Sequence, residues 1–173
     1  MQQDRFTVKA QEAIAAAQRL AAARRNSQVA PHHVLLALLE QDGGIVVPIL
    51  RRANADPESV RRRANEALDA LPTVSGDGEA PTSLGSDLVD TLKHADEAAR
   101  SMGDEFVSTE HLLLALADDP KVDAGASRAQ LAEAVEQVDL DAQSVDNFTQ
   151  VLLKNSFQIT LYAFQKFYII SNQ

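Results

Sequence analysis

Apolar residues recur every three or four positions through most of the chain. Ala10, Ile14, Ala17 and Ala21 form one stripe in a stretch, about 7–23, that has neither Gly nor Pro. That spacing predicts an amphipathic helix with an inner face built mostly of alanine, and Thr7 stands where its N-cap belongs. Pro31 suits a first helical position, because the N–H it lacks would have no partner there. Val34, Leu35, Leu38 and Leu39 follow it, and Gly43-Gly44 stops the turn. A short apolar piece, 45–52, holds Pro48 in its first turn. Asp56-Pro57 then predicts a capped helix with Val60, Ala64, Ala67, Leu68 and Leu71 inward, ended by Pro72.

Residues 72–86, rich in Gly, Pro, Ser and Thr, predict a linker or exposed loop. After it the pattern starts again. Ser86 is expected to cap a helix carrying Leu88, Leu92, Ala95, Ala99 and Met102. Ser108 is expected to cap one with Leu112, Leu113 and Leu116, and Ser127 with Gln130 makes a capping-box pattern before Leu131, Ala134, Val135 and Val138. The halves are copies. The run from Val29 through His32-His33 to Leu39 aligns with Val107 through Glu110-His111 to Ala117 at an offset of 78, which also puts Ile14 on Leu92 and Phe6 on Leu84. Further on, Ala53-Asn-Ala-Asp56 aligns with Ala124-Gly-Ala-Ser127 at an offset of 71. The second copy is therefore seven residues shorter, with Asp119–Asp123 replacing the piece at 45–52, a loss expected to expose apolar surface. Units of this size are too small to bury their own apolar faces, so the expected fold is all-α: two four-helix repeats, about 4–71 and 87–138, joined into one pseudo-twofold bundle over 1–138.

Composition narrows the chemistry. The 173 residues, 45% hydrophobic, suffice for one compact domain or two small ones. The absence of cysteine excludes disulfides, thiolate metal sites and a cysteine nucleophile. A net charge of −9 argues against general nucleic-acid binding. The charge is uneven: residues 1–71 carry ten basic and eight acidic side chains, residues 72–140 four and fifteen. No secretory signal pattern opens the chain and no stretch has the length and purity of a membrane span. Adjacent histidines such as His32-His33 diverge by about 100° on a helix and cannot chelate as an i, i+4 pair does. Core or surface roles are expected for these and for His94 and His111. Arg51-Arg52 and Arg61-Arg62-Arg63, without nearby aromatics, fit a solvated face better than a nucleic-acid surface. Neither a phosphate-binding G-x-x-x-x-G-K-[ST] loop nor a hydrolase motif is present, which leaves a small metal-dependent or hydrolytic enzyme the weakest reading.

The segments Asp4-Arg-Phe-Thr-Val-Lys-Ala-Gln-Glu-Ala-Ile14, His32-His-Val-Leu-Leu-Ala-Leu-Leu-Glu-Gln-Asp-Gly-Gly44 and Gly103-Asp-Glu-Phe-Val-Ser-Thr-Glu-His-Leu-Leu-Leu-Ala-Leu116 resemble the duplicated N-terminal domain of Clp ATPases, in the branch of bacterial disaggregase chaperones. The resemblance covers about residues 4–138. It implies a non-enzymatic, cytoplasmic, protein-binding domain, monomeric in isolation, that contacts unfolded or aggregated polypeptides, with no nucleic-acid or membrane partner. It implies no cofactor here, since ATP and magnesium would belong to ATPase modules. The alternative is a standalone Clp-repeat protein, or a domain that docks an adaptor or a Clp ATPase. Thr7, Asp104 and Glu110 match the family's substrate-handling positions. The residues alone also allow plain structural roles: Thr7 as an N-cap, Asp104 at a helix–loop junction, Glu110 in a first turn favoured by the macrodipole. The family's apolar groove commonly has leucines near the positions of His94, Ala98 and His111, so a smaller, more polar groove is expected.

After Val138 the resemblance stops. Six of the eight aromatics (Phe148, Phe157, Tyr162, Phe164, Phe167 and Tyr168) fall in 139–173, a segment without Gly or Pro. Its spacing fits a strand or a helix equally. It reads as a foreign or frame-shifted end, as a cover for the shortened repeat, or as a partner-binding segment.

Overall fold

Seven α-helices carry most of the residues that the computed structural model describes, 3–74 and 83–138. They are α1 (Val8–Ala23), α2 (Pro31–Leu39), α3 (Val46–Arg52), α4 (Pro57–Asp69), α5 (Ser86–Met102), α6 (Thr109–Asp118) and α7 (128–138). Two short strands, β1 (Gln28–Val29) and β2 (Ser83–Leu84), lie between them. Residues 1–135 form one compact unit and 136–173 a second. The aromatic segment 139–173 and the middle of the expected linker, 75–82, lie outside the described residues.

Local chemistry sets the helix ends. Thr7 Oγ1 accepts from the Ala10 N–H at 3.3 Å and caps α1. The Asp56 carboxylate accepts from the N–H groups of Glu58 and Ser59 before Pro57 opens α4. Ser127 and Gln130 bond reciprocally ahead of α7, as a capping box does. The cap of α5 is Gly85 rather than Ser86. The Gly85 N–H is committed to the Val29 carbonyl at 3.0 Å, which holds Gly85 extended and starts the helix one residue later.

The duplication is visible in the backbone. Shifted by 78 residues, the starts of α1 and α2 fall on those of α5 and α6; shifted by 71, the start of α4 falls on that of α7. Four of the five left-handed positions among the described residues obey the same offsets, Gly43 being the exception. Arg25 (φ 59°) corresponds to Gly103 (φ 84°), and Asn54 (φ 58°) to Gly125 (φ 83°).

The repeats exchange their leading segments. Phe6 of the first pairs in parallel with Val107 of the second, and Leu84 of the second pairs in parallel with Val29 of the first. Because Phe6 corresponds to Leu84 and Val29 to Val107, this is one contact made twice about the pseudo-dyad. Its hydrogen bonds match: Thr7 N–H to Val107 C=O at 2.9 Å, and Gly85 N–H to Val29 C=O at 3.0 Å. Both described ends of the expected linker are paired as well. Thr73 bridges Asn26 in antiparallel fashion, and β2 lies on β1.

α2 and α6 are the centre of the core. Leu35, Leu36 and Leu38 of one, and Leu112, Leu113, Leu114 and Leu116 of the other, are fully buried. Each such leucine contributes about 2 kcal/mol of transfer free energy. α1 and α5 present alanines inward (Ala10, Ala13, Ala17 and Ala21; Ala95, Ala98 and Ala99), which lets the helices approach closely. The second copy has no counterpart of α3, yet the expected apolar exposure does not follow. The α6 leucines are covered, and Val122 and Ala124 of the replacing loop are themselves buried. That loop is held against α4 of the first repeat: Arg63 Nε lies 2.8 Å from Asp123 Oδ2. A Cβ on Gly125 would fall 2.5 Å from Val60 Cγ2.

Gly125 thus meets two constraints, a left-handed φ and a closed approach, whereas Gly103 has the same φ in open space. Gly125→Ala is expected to lower unfolding free energy by about 2–4 kcal/mol and Gly103→Ala by about 1 kcal/mol, read from urea denaturation of the two variants. Equal losses would mean that the contact with Val60 carries no weight.

Candidate functional site

Exchange of the leading segments assembles one corner of the molecule. The Thr7 N–H bonds to the Val107 carbonyl, so the start of α1 lies against the 103–110 stretch that carries Asp104 and Glu110. Asp104 follows the left-handed Gly103 that ends α5. Its N–H donates to the Ala99 carbonyl at 2.9 Å, and its side chain is 53% exposed. Glu110, half-buried in the first turn of α6, accepts from the Thr109 hydroxyl at 3.4 Å. Thr7 is thus pinned to the stretch that carries Asp104 and Glu110, and Thr7 and Asp104 also perform the structural tasks expected of them. Three of the four exposed large apolar side chains among the described residues adjoin them in sequence: Val8 (71% exposed), Met102 (42%) and Phe106 (45%).

Beside Thr7 runs a largely apolar groove of about 440 Å³, lined by Phe6, Val8, Ile14, Ala15, Leu84 and Leu92 together with Gln11, Glu12 and Gln18. Phe6 pairs with Leu84 and Ile14 with Leu92 under the repeat, so the groove straddles the pseudo-dyad between α1 and α5. Of the positions where a smaller, more polar groove was expected, His94 and Ala98 line a second, more polar depression with Glu97, Ser101, Asp118 and Arg128, and His111 falls outside it. His111 is 1% exposed and Ala98 is buried. His111 falls outside because it occupies the third position of α6, where its ring turns inward to cap the helix. The groove residues were already aligned in sequence as equivalent positions, but nothing in their spacing showed that the dyad would leave a gap between them.

Each repeat holds one such histidine. His33 Nδ1 accepts from the Ala30 N–H at 2.9 Å, and His111 Nδ1 from the Ser108 N–H at 3.1 Å. With Nδ1 accepting, the proton is assigned to Nε2. His33 Nε2 donates to Asn26 Oδ1 at 3.1 Å. His111 Nε2 stands 3.0 Å from Asp104 Oδ2, the residue equivalent to Asn26. Ser108 Oγ is 2.7 Å from His111 Nδ1, which completes a Ser-His-Asp constellation. The first repeat shows what that constellation is for. There Ala30, His33 and Asn26 keep the same ring and the same backbone bond without a hydroxyl or a carboxylate, so the arrangement is a helix cap and not a nucleophile with its base.

Residues 5–131 match the Clp repeat (R) N-terminal domain. The chaperone protein ClpB of Corynebacterium diphtheriae is 41% identical over 111 residues, which are 64% of this chain and 13% of that relative. The Hsp104 N-terminal domain from Candida albicans superposes with a TM-score of 0.64 at 26% identity, covering 76% of this chain and 90% of that one. A structure described as a peptide from the EAEC T6SS Sci1 SciI protein contains a chain that matches with a TM-score of 0.62 at 27% identity, covering 82% and 87%.

Burial pushes the His33 imidazole down from its ordinary value to about 4, and protonating Nδ1 would also break the Ala30 bond. An unfolded His33 takes up its proton near pH 6.5, the folded one only near pH 4, so the unfolded state binds more protons between these values. Stability from this group is complete above pH 6.5 and falls as the pH drops to about 4, by roughly 3 kcal/mol in all. His33→Asn, which keeps an acceptor for Ala30, is expected to flatten that part of the stability–pH curve, measured by urea denaturation at stepped pH. An unaltered slope would place the pH dependence elsewhere.

Proposed function

Because the chain belongs to the Clp repeat N-terminal domain family, we propose that it receives unfolded or aggregated polypeptide on behalf of a ClpB-like disaggregating chaperone in the cytoplasm. Since the matched stretch is 13% of the ClpB relative's length, this activity is read from the corner described above and not from the whole relative. The carrying observation is the bond from the Thr7 N–H to the Val107 carbonyl, which puts the start of α1, with exposed Val8 and the apolar groove, against the 103–110 stretch that holds Asp104, Glu110 and exposed Phe106. Apolar side chains give affinity without sequence preference, while carboxylates accept backbone N–H groups or pair with Lys and Arg of an extended segment. A similar structure named for a peptide supports the same reading. ATP and magnesium play no part in this binding step; they act in ATPase modules.

The groove and the carboxylates should contribute separately. Asp104→Ala with Glu110→Ala is expected to weaken binding of the whole chain to labelled, natively unfolded casein by about three- to tenfold, measured by fluorescence anisotropy. Ile14→Asp, at the groove wall, should weaken it by a similar factor. Casein binding that neither change affects would remove the site. Competition by a folded adaptor, together with indifference to casein, would favour adaptor docking.

A further inference from the structure

We propose that His111 is a positioning residue for this corner: its buried ring sets the orientation of the Asp104 carboxylate. The inference rests on the reading that Asp104 meets the bound polypeptide.

The geometry leaves the ring one outward contact. Nδ1 is taken by the Ser108 N–H and approached by the Ser108 hydroxyl. Nε2 is buried, has no aligned hydrogen-bond partner, and lies 3.0 Å from Asp104 Oδ2. A buried donor in that state costs free energy unless a charge stands nearby, so the imidazole favours conformers of the 103–106 turn that keep the carboxylate close. Asp104 has His111 as its only side-chain partner among the described residues. With Oδ2 drawn to the ring, Oδ1 is left for a ligand.

The first repeat serves as an internal control. His33 has the same backbone cap, but its Nε2 faces Asn26, which is buried and donates onward to the Pro72 carbonyl at 3.2 Å. A neutral amide satisfies the ring without presenting anything to solvent. Capping therefore does not require a carboxylate at this place. Only the second copy turns the same ring toward an exposed charge.

Two substitutions separate capping from positioning. His111→Asn puts an amide oxygen near the place of Nδ1, keeping an acceptor for Ser108, and removes the atom facing Asp104. His111→Gln reaches the place of Nε2 and restores a donor to Asp104. The probes are a labelled unstructured peptide of Lys, Leu and Phe, and the same peptide with every Lys replaced by Gln. The full chain with His111→Asn is expected to bind the Lys peptide about three- to tenfold more weakly and the Gln peptide within about twofold of the parent chain. His111→Gln should restore Lys-peptide binding to within about twofold, and His111→Asn should add no loss to Asp104→Ala. Parent-like Lys-peptide binding by His111→Asn, with Asp104→Ala weakened, would overturn the positioning role and leave the site standing. If Asp104→Ala itself binds normally, the site reading fails. Equal loss of both peptides in both His111 variants, with a lowered thermal midpoint, would make the ring purely structural and also overturn the proposal.

Discussion

Everything described here depends on a backbone exchange across the pseudo-dyad. Each repeat contributes the segment before its first helix to the segment before the second helix of the other, through Phe6 with Val107 and Leu84 with Val29. The pairing is short, yet it satisfies backbone groups that would otherwise be buried without partners beside Val29 and Val107. It also goes with the packing of each repeat's first helix on the second helix of the other, α1 on α6 and α5 on α2. The corner that carries Thr7, Asp104 and Glu110 exists because residues 5–7 of one copy are pinned to residue 107 of the other. Neither repeat alone has that corner.

The helices were legible because their signals are local. Periodic leucines and alanines, Thr7, Asp56-Pro57 and the Ser127–Gln130 pair all act within a few residues of the place where they stand. The duplication was legible because identities recur at fixed offsets. The bridges were not, since two paired residues have no periodicity to detect and their partners lie far along the chain. For the same reason the cap of α5 was misplaced by one residue: Gly85 is extended because of Val29, which nothing near Gly85 announces. The site was legible in part. Resemblance singled out Thr7, Asp104 and Glu110, and the structure pins Thr7 to Val107, within the stretch that carries the other two. A smaller, more polar groove was expected around His94, Ala98 and His111; His94 and Ala98 line such a depression, the His111 ring faces inward, and an apolar groove lies along Phe6, Ile14, Leu84 and Leu92.

Duplication lets the two copies explain one another. Where both keep a feature, such as the histidine at the third position of α2 and α6, the fold needs it. Where they differ, one copy has been freed. Asn26 seals a buried ring, while Asp104 meets the same ring from solvent. Asn54 holds a left-handed turn with a side chain, while Gly125 holds its counterpart where no side chain fits against Val60. The loss of α3 in the second copy belongs with this last difference. The shortened loop closes onto α4 of the first repeat and so binds the two copies more tightly.

The bridge between Phe6 and Val107 also sets an order of events on the ribosome. Residue 6 is made first among the core residues, yet its partner is about 100 residues away. At a synthesis rate of roughly 5–20 residues per second, the leading segment waits between about 5 and 20 seconds for a place to pair. Closing so long a loop adds entropy cost and slows folding relative to a bundle with only local contacts. For several seconds of each synthesis the first repeat therefore stands with its apolar helix faces uncovered by the second.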